Sequence, residues 1–240
     1  MIDPANIKKI IISRTDSIGD VVLTLPLAGV LKNKFPGVEI LFLGRAYTKA
    51  VAQCCKHVDR FIDWDDFRKL DENEKRGYFK ILNVDVIIHV FPNKEIAQLT
   101  KKAGIKVRIG TSHRIFHWTT CNYKPNFTRK NSELHEAELN VKLLAPLGIT
   151  ENYSLEELNS FSGFGNKYVL PEKLKNILDS GKKKIILHPK SKGSAREWSL
   201  DNFSKLIDLL PRDKFQLFVS GTADEKILLQ DFLEKNKNKV

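Results

Sequence analysis

Short runs of Val and Ile alternate along the chain with segments that repeat apolar residues at helical spacing. A strand buried in a parallel sheet reads as a continuous apolar run, and an amphipathic helix repeats apolar residues every three or four positions. The predicted strands span residues 7–13, 38–43, 60–64, 84–90, 106–110, 184–188 and 215–220. The predicted helices span 20–34, 47–56, 67–82, 95–103, 133–147, 200–210 and a last segment that ends near 235. This alternation predicts an α/β protein with a mostly parallel sheet covered by helices.

A polar stretch that contains Ser160, Ser162, Gly163 and Gly165 interrupts the pattern. Serines and glycines in such a cluster favour a loop. We therefore predict an N-terminal Rossmann-like domain over 1–160, an interdomain connection over 161–180 and a partial C-terminal domain over 181–240. The last part contains only two predicted strands, which are too few for an independent doubly wound domain.

Composition narrows the class of protein. The 240 residues are 42% hydrophobic, which is enough to form a buried core. The apolar runs are far shorter than the roughly 20 residues of a membrane span, and the N-terminus lacks a signal-peptide pattern, so we expect a cytoplasmic protein. The three cysteines and six histidines show no metal-ligand spacing. We predict neither a metal nor a cofactor.

The formal charge of +11 favours an anionic partner, which could be nucleic acid, an anionic membrane surface or a phosphorylated small molecule. No acidic residue lies between Glu95 and Glu133, where cations are interleaved with aromatic residues. The cations are Lys101, Lys102, Lys106, Arg108, Arg114, Lys124, Arg129 and Lys130, and the aromatic residues are Phe116, Trp118, Tyr123 and Phe127.

Three interpretations of this basic stretch remain open. It could be a solvated surface, or a surface that holds a phosphorylated or carboxylated lipid-linked acceptor near an anionic membrane. It could also bind single-stranded nucleic acid by stacking and charge neutralisation. The sequence contains no recognisable RNA-binding signature, which disfavours the last interpretation.

The first strand-to-helix turn, residues 13–20, is a candidate ligand site because open α/β sheets bind ligands at the carboxyl ends of their strands. It contains a single glycine and no following lysine, so it is neither a dinucleotide fingerprint nor a P-loop. The turn places Asp20 beside the start of a helix. Asp20 could simply cap that helix, or its carboxylate could serve in a reaction.

Residues 14–26, which read R-x-D-x-I-G-D-V-V-L-T-L-P, resemble the N-terminal signature of glycosyltransferase family 9, the heptosyltransferases. The resemblance continues through 35–36, 103–110, 135–144 and 186–198. It implies the GT-B fold, in which two Rossmann-like domains with parallel sheets face each other across a cleft. Acceptor binds mainly to the first domain of such proteins and sugar nucleotide mainly to the second. Because the family's second domain normally continues past the position of Val240, the resemblance implies an incomplete second domain here.

The resemblance also implies a reaction, the inverting transfer of heptose from ADP-heptose to the inner core of lipopolysaccharide or lipooligosaccharide. Asp20 corresponds to the family's proposed general base, and a positioned carboxylate can take the proton of an attacking hydroxyl. The other implied substrate contacts are Arg14, Asp16, Ser17, Gly19 and His135. The implied partners are the donor and a lipid-linked anionic acceptor at the cytoplasmic face of the inner membrane, with no nucleic acid. Another nucleotide-sugar and another cell-surface glycan remain an alternative.

The second strand-to-helix turn, residues 188–198, contains cations, serines and a glycine. Backbone amides, hydroxyls and cationic side chains at a helix start can bind a diphosphate, although a basic loop can also be merely solvated. The candidate donor contacts here are Lys190, Ser191, Lys192 and, by the resemblance, Arg196. The resemblance also assigns Glu225 a contact with ribose hydroxyls. Its place in the first turn of a helix is an equally good explanation.

Overall fold

The computed structural model describes residues 6–130, 132–178, 181–191 and 196–240. It divides into two compact units, unit 1 over Met1–Lys167 and unit 2 over Tyr168–Val240. The division falls inside the segment 161–180 that the sequence assigned to the connection. Within the described residues, no helix has the length and apolar character needed to cross a bilayer.

Unit 1 contains a five-stranded sheet in the order β3-β2-β1-β4-β5, and every pair in it is parallel. The strands are β1 (Lys9–Ser13), β2 (Glu39–Gly44), β3 (Arg60–Asp63), β4 (Val86–His89) and β5 (Val107–Gly110). All five were predicted from their apolar runs. The predicted α/β class with a parallel sheet is therefore confirmed.

The two faces of this sheet have separate cores, because successive side chains of a strand point to opposite faces. Ile10 and Ile12 of β1 belong to one buried cluster, whereas Ile11 belongs to the other. Helices cover both faces, so neither set of side chains meets water. This is why the strands are continuous apolar runs and not alternating ones.

The helices of unit 1 are α1 (Ile18–Val22), α2 (Pro26–Lys34), α3 (Lys49–Gln53), α4 (Trp64–Phe67), α5 (Glu72–Leu82), α6 (Lys94–Lys102), α7 (Ile115–Thr120), α8 (Glu136–Val141) and α9 (Leu155–Phe161). Ala46–Thr48 and Lys142–Leu147 form 3₁₀ helices. Several helices predicted as single segments are therefore divided.

The predicted helix over 20–34 is wrong in its continuity, and Pro26 gives the reason. Proline has no N–H, so Pro26 cannot donate to the carbonyl of Val22, which instead accepts from Leu25 at 3.2 Å. The chain therefore forms α1, a short turn and then α2. In the same way the predicted helix over 67–82 is interrupted, because Asp71 caps α5 and forms a capping box with Glu74.

Helix α9 was not predicted, because the polar residues around it suggested a loop. Ser154 caps it, and Glu157 completes a capping box. It packs directly on α2 at Gly29, where a Cβ atom would lie 2.1 Å from the carbonyl oxygen of Phe161. Gly29 thus permits a helix-to-helix contact that any larger residue would prevent.

Unit 2 contains two parallel strands, β6 (Lys183–Leu187) and β7 (Phe215–Val219). Its helices are α10 (Glu172–Lys175), α11 (Leu200–Leu209), α12 (Ala223–Leu228) and α13 (Gln230–Asn236). The small core of the unit consists of Leu187, Ile207, Leu217, Leu229 and Phe232. The two strands are those that the sequence predicted for this part.

Candidate functional site

A concave site of unit 1 lies where the order of the sheet reverses. Strand β1 pairs with β2 on one side and with β4 on the other, so the chain leaves β1 in one direction and later returns to its opposite edge. Open α/β sheets bind ligands outside the carboxyl ends of the strands at such a point. A cavity of about 540 Å³ is found there. It is lined by Arg14, Asp16, Asp20, Val90, Phe91, Pro92, Thr111, His113, Arg114, Phe127, Thr128, Arg129, Lys130 and Glu136.

Arg14 is the centre of this site. It directly follows β1, and its N–H continues the sheet by donating to the carbonyl of Leu43 at 2.9 Å. Its side chain is only 5% exposed and contacts three carboxylates. The distances are 2.7 Å from Nε to Asp16, 2.8 Å from Nη2 to Asp20 and 3.1 Å from Nη1 to Glu136. One buried guanidinium therefore orients every carboxylate in the cavity lining.

A second path of hydrogen bonds returns from Glu136 to the helix that carries Asp20. Arg129 donates to Glu136 at 3.1 Å and to the side-chain oxygen of Asn140 at 2.9 Å. The amide of Asn140 in turn donates to the carbonyl of Leu23, the C-cap of α1, at 3.2 Å. Together with Arg14, these contacts form a closed ring that holds α1 at both ends, and we call it the Arg14 ring.

Asp20 occupies the first turn of α1, but it is not the residue that caps the helix. Ser17 is the N-cap, and its hydroxyl donates to Oδ2 of Asp20 at 2.6 Å. The other carboxylate oxygen accepts from Arg14, and 35% of the side chain is exposed. Each carboxylate oxygen has two lone pairs, so Asp20 can still accept a proton from a molecule in the cavity.

Asp16 is the more enclosed of the two acids in the turn. Burial raises its pKa, and the Arg14 guanidinium opposes that shift. The backbone around Asp16 is fixed from outside the turn, because the hydroxyl of Tyr47 donates to its carbonyl oxygen at 2.5 Å. Asp16 therefore contributes mainly to orienting Arg14 and to the negative charge beside Asp20.

The lining of the cavity is also cationic. It contains Arg114, Arg129 and Lys130, all from the basic stretch. In the part of the chain that the structure describes, no carboxylate forms an ion pair with Arg114 or Lys130. These two side chains are therefore available to an anionic group that enters the cavity.

The structure brings together only some of the predicted substrate contacts. Arg14, Asp16 and Asp20 line the cavity, whereas Ser17 and Gly19 lie outside its lining. The Ser17 hydroxyl supports Asp20, and Gly19 belongs to α1. His135 is exposed and caps α8 by accepting from the N–H of Ala137 at 3.3 Å. It lies outside the lining, so its contact with substrate stays a prediction.

The residue after His135, Glu136, does line the cavity, and sequence reasoning gave it no role. Arg114, Arg129 and Lys130 were noticed only as part of a basic stretch. The His135–Glu136 pair and the absence of acids before Glu133 were the available signals. Neither signal could place these residues in the same cavity as Asp20, because that depends on the order of the strands.

Two histidines are buried among the strand ends of the same sheet. His89 is fully buried, and burial lowers its pKa to about 3. Neither of its ring nitrogens has a hydrogen-bond partner among the described residues. His117 is equally buried, donates or accepts at 2.9 Å with the carbonyl of Thr111, and also has a lowered pKa because of burial. Both rings are therefore neutral at physiological pH.

The loop of unit 2 that was predicted to bind a diphosphate contains a carboxylate of its own. Glu197 accepts from Lys190 Nζ at 2.8 Å and from the backbone N–H of Ser191 at 3.0 Å. These contacts lower the pKa of Glu197, with the Lys190 hydrogen bond as the main cause. The predicted contact Lys192 lies outside the described residues. Arg196 is exposed beside Glu197.

Glu225 has a structural task in unit 2. Its carboxylate accepts from the N–H of Thr222 at 2.7 Å, and the Thr222 hydroxyl accepts from the N–H of Glu225, which completes a capping box at the start of α12. Glu225 is only 5% exposed. This geometry supports the explanation as a helix acid. A ribose contact stays a prediction.

No group of three or more His, Cys, Asp or Glu side chains suited to a metal ion occurs among the described residues. The arrangement in unit 1 combines an oriented carboxylate with cations in the lining of one cavity. Such a site can remove a proton from a hydroxyl of an anionic molecule.

The fold matches that of known glycosyltransferases. A solved glycosyl transferase of family 9 from Veillonella parvula aligns with a TM-score of 0.72 at 19% identity and covers 95% of this chain and 66% of its own. The E. coli heptosyltransferase WaaC with ADP-2-deoxy-2-fluoro heptose aligns with a TM-score of 0.68 at 16% identity, over 94% and 73%. E. coli ADP-heptose lps heptosyltransferase II aligns with a TM-score of 0.64 at 15% identity, over 95% and 69%.

Among curated proteins, the chain is 30% identical over 215 residues to a Haemophilus influenzae protein named "Putative glycosyltransferase". The match includes 83% of this chain, which spans only 59% of the length of that relative. No protein-family model matches the sequence. These similarities show that the chain has the fold of family 9 glycosyltransferases. The predicted resemblance to that family is confirmed.

Proposed function

We propose that the chain forms the acceptor site and part of the donor site of an inverting glycosyltransferase. The donor is ADP-heptose, and the acceptor is the inner core of lipopolysaccharide or lipooligosaccharide. One observation carries the proposal, namely that Asp20 is held by the Arg14 ring in a cavity whose lining also contains Arg114 and Lys130. The names of the E. coli structures, heptosyltransferases with ADP or an ADP-heptose analogue, support the choice of donor.

In the proposed reaction, an acceptor hydroxyl attacks the anomeric carbon of the donor sugar. The bond from that carbon to the diphosphate oxygen breaks, and the electron pair leaves with ADP. Asp20 takes the proton of the hydroxyl as the new glycosidic bond forms, which is the work of a general base. Attack from the face opposite the diphosphate inverts the anomeric configuration. A diphosphate is a good leaving group, so no second carboxylate is required as an acid.

The cations in the lining give the site its preference for an anionic acceptor. Arg129 is already paired with Glu136, whereas Arg114 and Lys130 can contact a phosphate or carboxylate of the incoming saccharide. Arginine suits such groups because its planar fork can donate two parallel hydrogen bonds. A hydroxyl of the same acceptor would then contact Asp20, which lines the same cavity.

The donor diphosphate is assigned to the loop of unit 2 that contains Lys190, Ser191, Lys192 and Arg196. Glu197 now accepts hydrogen bonds there that a phosphate oxygen could accept equally well. We propose that the diphosphate displaces the Glu197 carboxylate from Lys190 and Ser191. The exchange costs little, since exposed ion pairs are weak.

The proposed location follows from the acceptor. A lipid-linked saccharide is held at a membrane, so the enzyme would work at the cytoplasmic face of the inner membrane through peripheral contact. A different nucleotide-sugar and another cell-surface glycan remain the alternative substrates. A panel of sugar nucleotides ranked by thermal stabilisation separates these choices, because a ligand that binds the native state raises its melting temperature.

The decisive experiment compares Asp20 with Asp20→Asn in the transfer of heptose from ADP-heptose to a deacylated inner-core acceptor. It is performed with this chain and with the chain extended to the length of its relatives. Loss of a general base typically lowers the rate by about 10²- to 10⁴-fold, whereas binding of ADP-heptose should not change.

Asn keeps the shape of the side chain and can still contact Ser17. The substitution therefore removes the proposed general base while it keeps the structural contact of residue 20. Near-normal turnover by Asp20→Asn would show that Asp20 only supports α1. Absence of transfer by both proteins, with ADP-heptose bound, would show that the acceptor is wrong.

A further inference from the structure

Helix α7 presents an apolar pair to solvent. Ile115 is 90% exposed and Trp118 is 64% exposed. They are three positions apart, so they lie on the same face of the helix. The opposite side of α7 is anchored to unit 1 through His117 and Thr120, which are buried. The apolar face is therefore fixed in place and is not a frayed segment that could fold inward.

Cations surround this face. Lys124 Nζ lies 5.4 Å from the centre of the Trp118 ring. Lys101 Nζ donates to the carbonyl of Thr119 at 2.7 Å, near the C-terminus of α7, and Arg114 directly precedes the helix. The sequence contains no acidic residue from 96 to 132 to neutralise these charges. An apolar pair with cations beside it is complementary to a surface that is anionic outside and apolar beneath.

The apolar face begins at the edge of the cavity that contains Asp20. His113 and Arg114 line that cavity, and α7 starts at the next residue. A molecule with its saccharide in the cavity and its acyl chains in a bilayer would therefore place the bilayer beside Ile115 and Trp118. Tryptophan favours the boundary between headgroups and acyl chains, where its ring is apolar and its N–H remains polar.

We propose that Ile115 and Trp118, with Lys101, Arg114 and Lys124 around them, form a docking surface for an anionic phospholipid bilayer. This inference deepens the proposed function, because it assigns the membrane contact of the acceptor site to specific residues. Two inserted side chains and three cations bind weakly and reversibly. Each cation near an anionic leaflet contributes roughly fivefold to the partition coefficient, and salt weakens that contribution.

The test measures binding of the chain to vesicles of phosphatidylethanolamine and phosphatidylglycerol, with phosphatidylcholine vesicles as the neutral comparison. We expect binding to the anionic vesicles that falls as salt is raised, accompanied by a blue shift of tryptophan emission. The double variant Ile115→Ser with Trp118→Ser should bind at least about tenfold more weakly, since it loses both apolar side chains. Lys124→Gln should bind about fivefold more weakly.

Matched controls come from other surfaces of unit 1. Ile81 in α5 is 86% exposed, so Ile81→Ser removes the same side chain at similar exposure. Lys34 is an exposed lysine at the end of α2, so Lys34→Gln makes the same change of charge as Lys124→Gln. Both control variants should bind vesicles as the unchanged chain does.

Three results would overturn the proposal. The first is equal binding to neutral and anionic vesicles, and the second is full binding by the double variant. The third is binding of single-stranded oligonucleotides that the double variant loses, without vesicle binding by the unchanged chain. The assay uses neither donor nor acceptor, so its failure leaves the transferase experiment intact, and a failure of that experiment leaves vesicle binding intact.

Discussion

The cavity of unit 1 and the loop of unit 2 both pair cations with carboxylates, but they do so in different ways. In unit 1 a buried arginine holds Asp20 and two other acids, with partners up to 122 positions apart. In unit 2 Lys190 pairs with Glu197 at the surface, seven positions away in the same loop. The first arrangement fixes a reactive group in advance. The second is local and exposed, so an incoming anion can replace its carboxylate at little cost.

The strongest test of this contrast replaces Arg14 with Met. The change leaves three carboxylates, 20–35% exposed, without their common partner. We expect the free energy of unfolding of unit 1 to fall by about 3 kcal/mol, the lower end of the range for breaking a buried pair, because the acids are partly solvated. Urea unfolding monitored by circular dichroism measures this.

Arg14→Lys is the matched control for the same measurement. It keeps the positive charge, but its compact head group cannot reach three carboxylates at once. The free energy of unfolding of Arg14→Lys should therefore lie between those of the unchanged chain and Arg14→Met. ADP binding by unit 2 should be unchanged in both variants. Unchanged stability in Arg14→Met would show that the Arg14 ring does not hold unit 1 together.

Acid should also lower the stability of the two units over different pH ranges. The pKa of His89 is about 3 in the folded chain and about 6.5 in the unfolded chain, so the unfolded state binds the proton first as pH falls. The stability of unit 1 therefore decreases below about pH 6.5, by about 2 kcal/mol at pH 5 from His89 alone. His117, whose pKa is also lowered, acts in the same direction.

In unit 2 the shifted acids Glu197 and Asp208 have lowered pKa values, so their contribution is lost only as pH falls through the acid range below about 4.5. Unfolding curves at pH 7 and pH 5 measure the difference. His89→Gln should reduce the pH dependence, and His113→Gln, at an exposed position, should not. Equal acid sensitivity of the two His variants would contradict the assignment to His89.

The smallest effect is expected in the loop of unit 2. Glu197→Gln removes the carboxylate that competes with a diphosphate for Lys190 and Ser191. We expect ADP to bind about twofold to fivefold more tightly, the range set by an exposed ion pair. Isothermal titration measures the affinity.

Glu172→Gln serves as the control for that titration, because Glu172 forms a comparable exposed pair with Lys175 at 2.7 Å in unit 2. It should leave the affinity for ADP unchanged. Weaker ADP binding by Glu197→Gln would mean that Glu197 supports the loop and does not occupy the place of a phosphate.

The sequence predicted the strands well because a strand buried on both faces leaves an unbroken apolar run, such as Ile10–Ile12. Helix ends were predicted less well. The interruption at Pro26 depends on one missing N–H, and α9 depends on a glycine that lies 132 positions before Phe161. Such features depend on a single atom or on two residues far apart in the sequence. The spacing of apolar residues along the chain does not predict either of them.

The candidate site shows the same limit. The turn that carries Asp20 could be found from sequence, because a short signature and a strand end coincide there. The ion pair between Arg14 and Glu136 could not, since it requires β1 to lie between β2 and β4. In unit 2 the cations of the loop were counted as a phosphate site, whereas Glu197 in the same loop was not weighed against them.

The contact between Gly29 and the Phe161 carbonyl has a practical consequence for isolating unit 1. A fragment that ended near residue 150 would lack α9. The backbone of α2 at Gly29, which has no side chain to cover it, would then be exposed to solvent and to proteases. Near the same end, the N–H of Gly165 donates to the carbonyl of Cys54 at 2.9 Å. A fragment that extends to about Lys167 therefore retains both of these contacts. Limited proteolysis should leave a resistant fragment of that length.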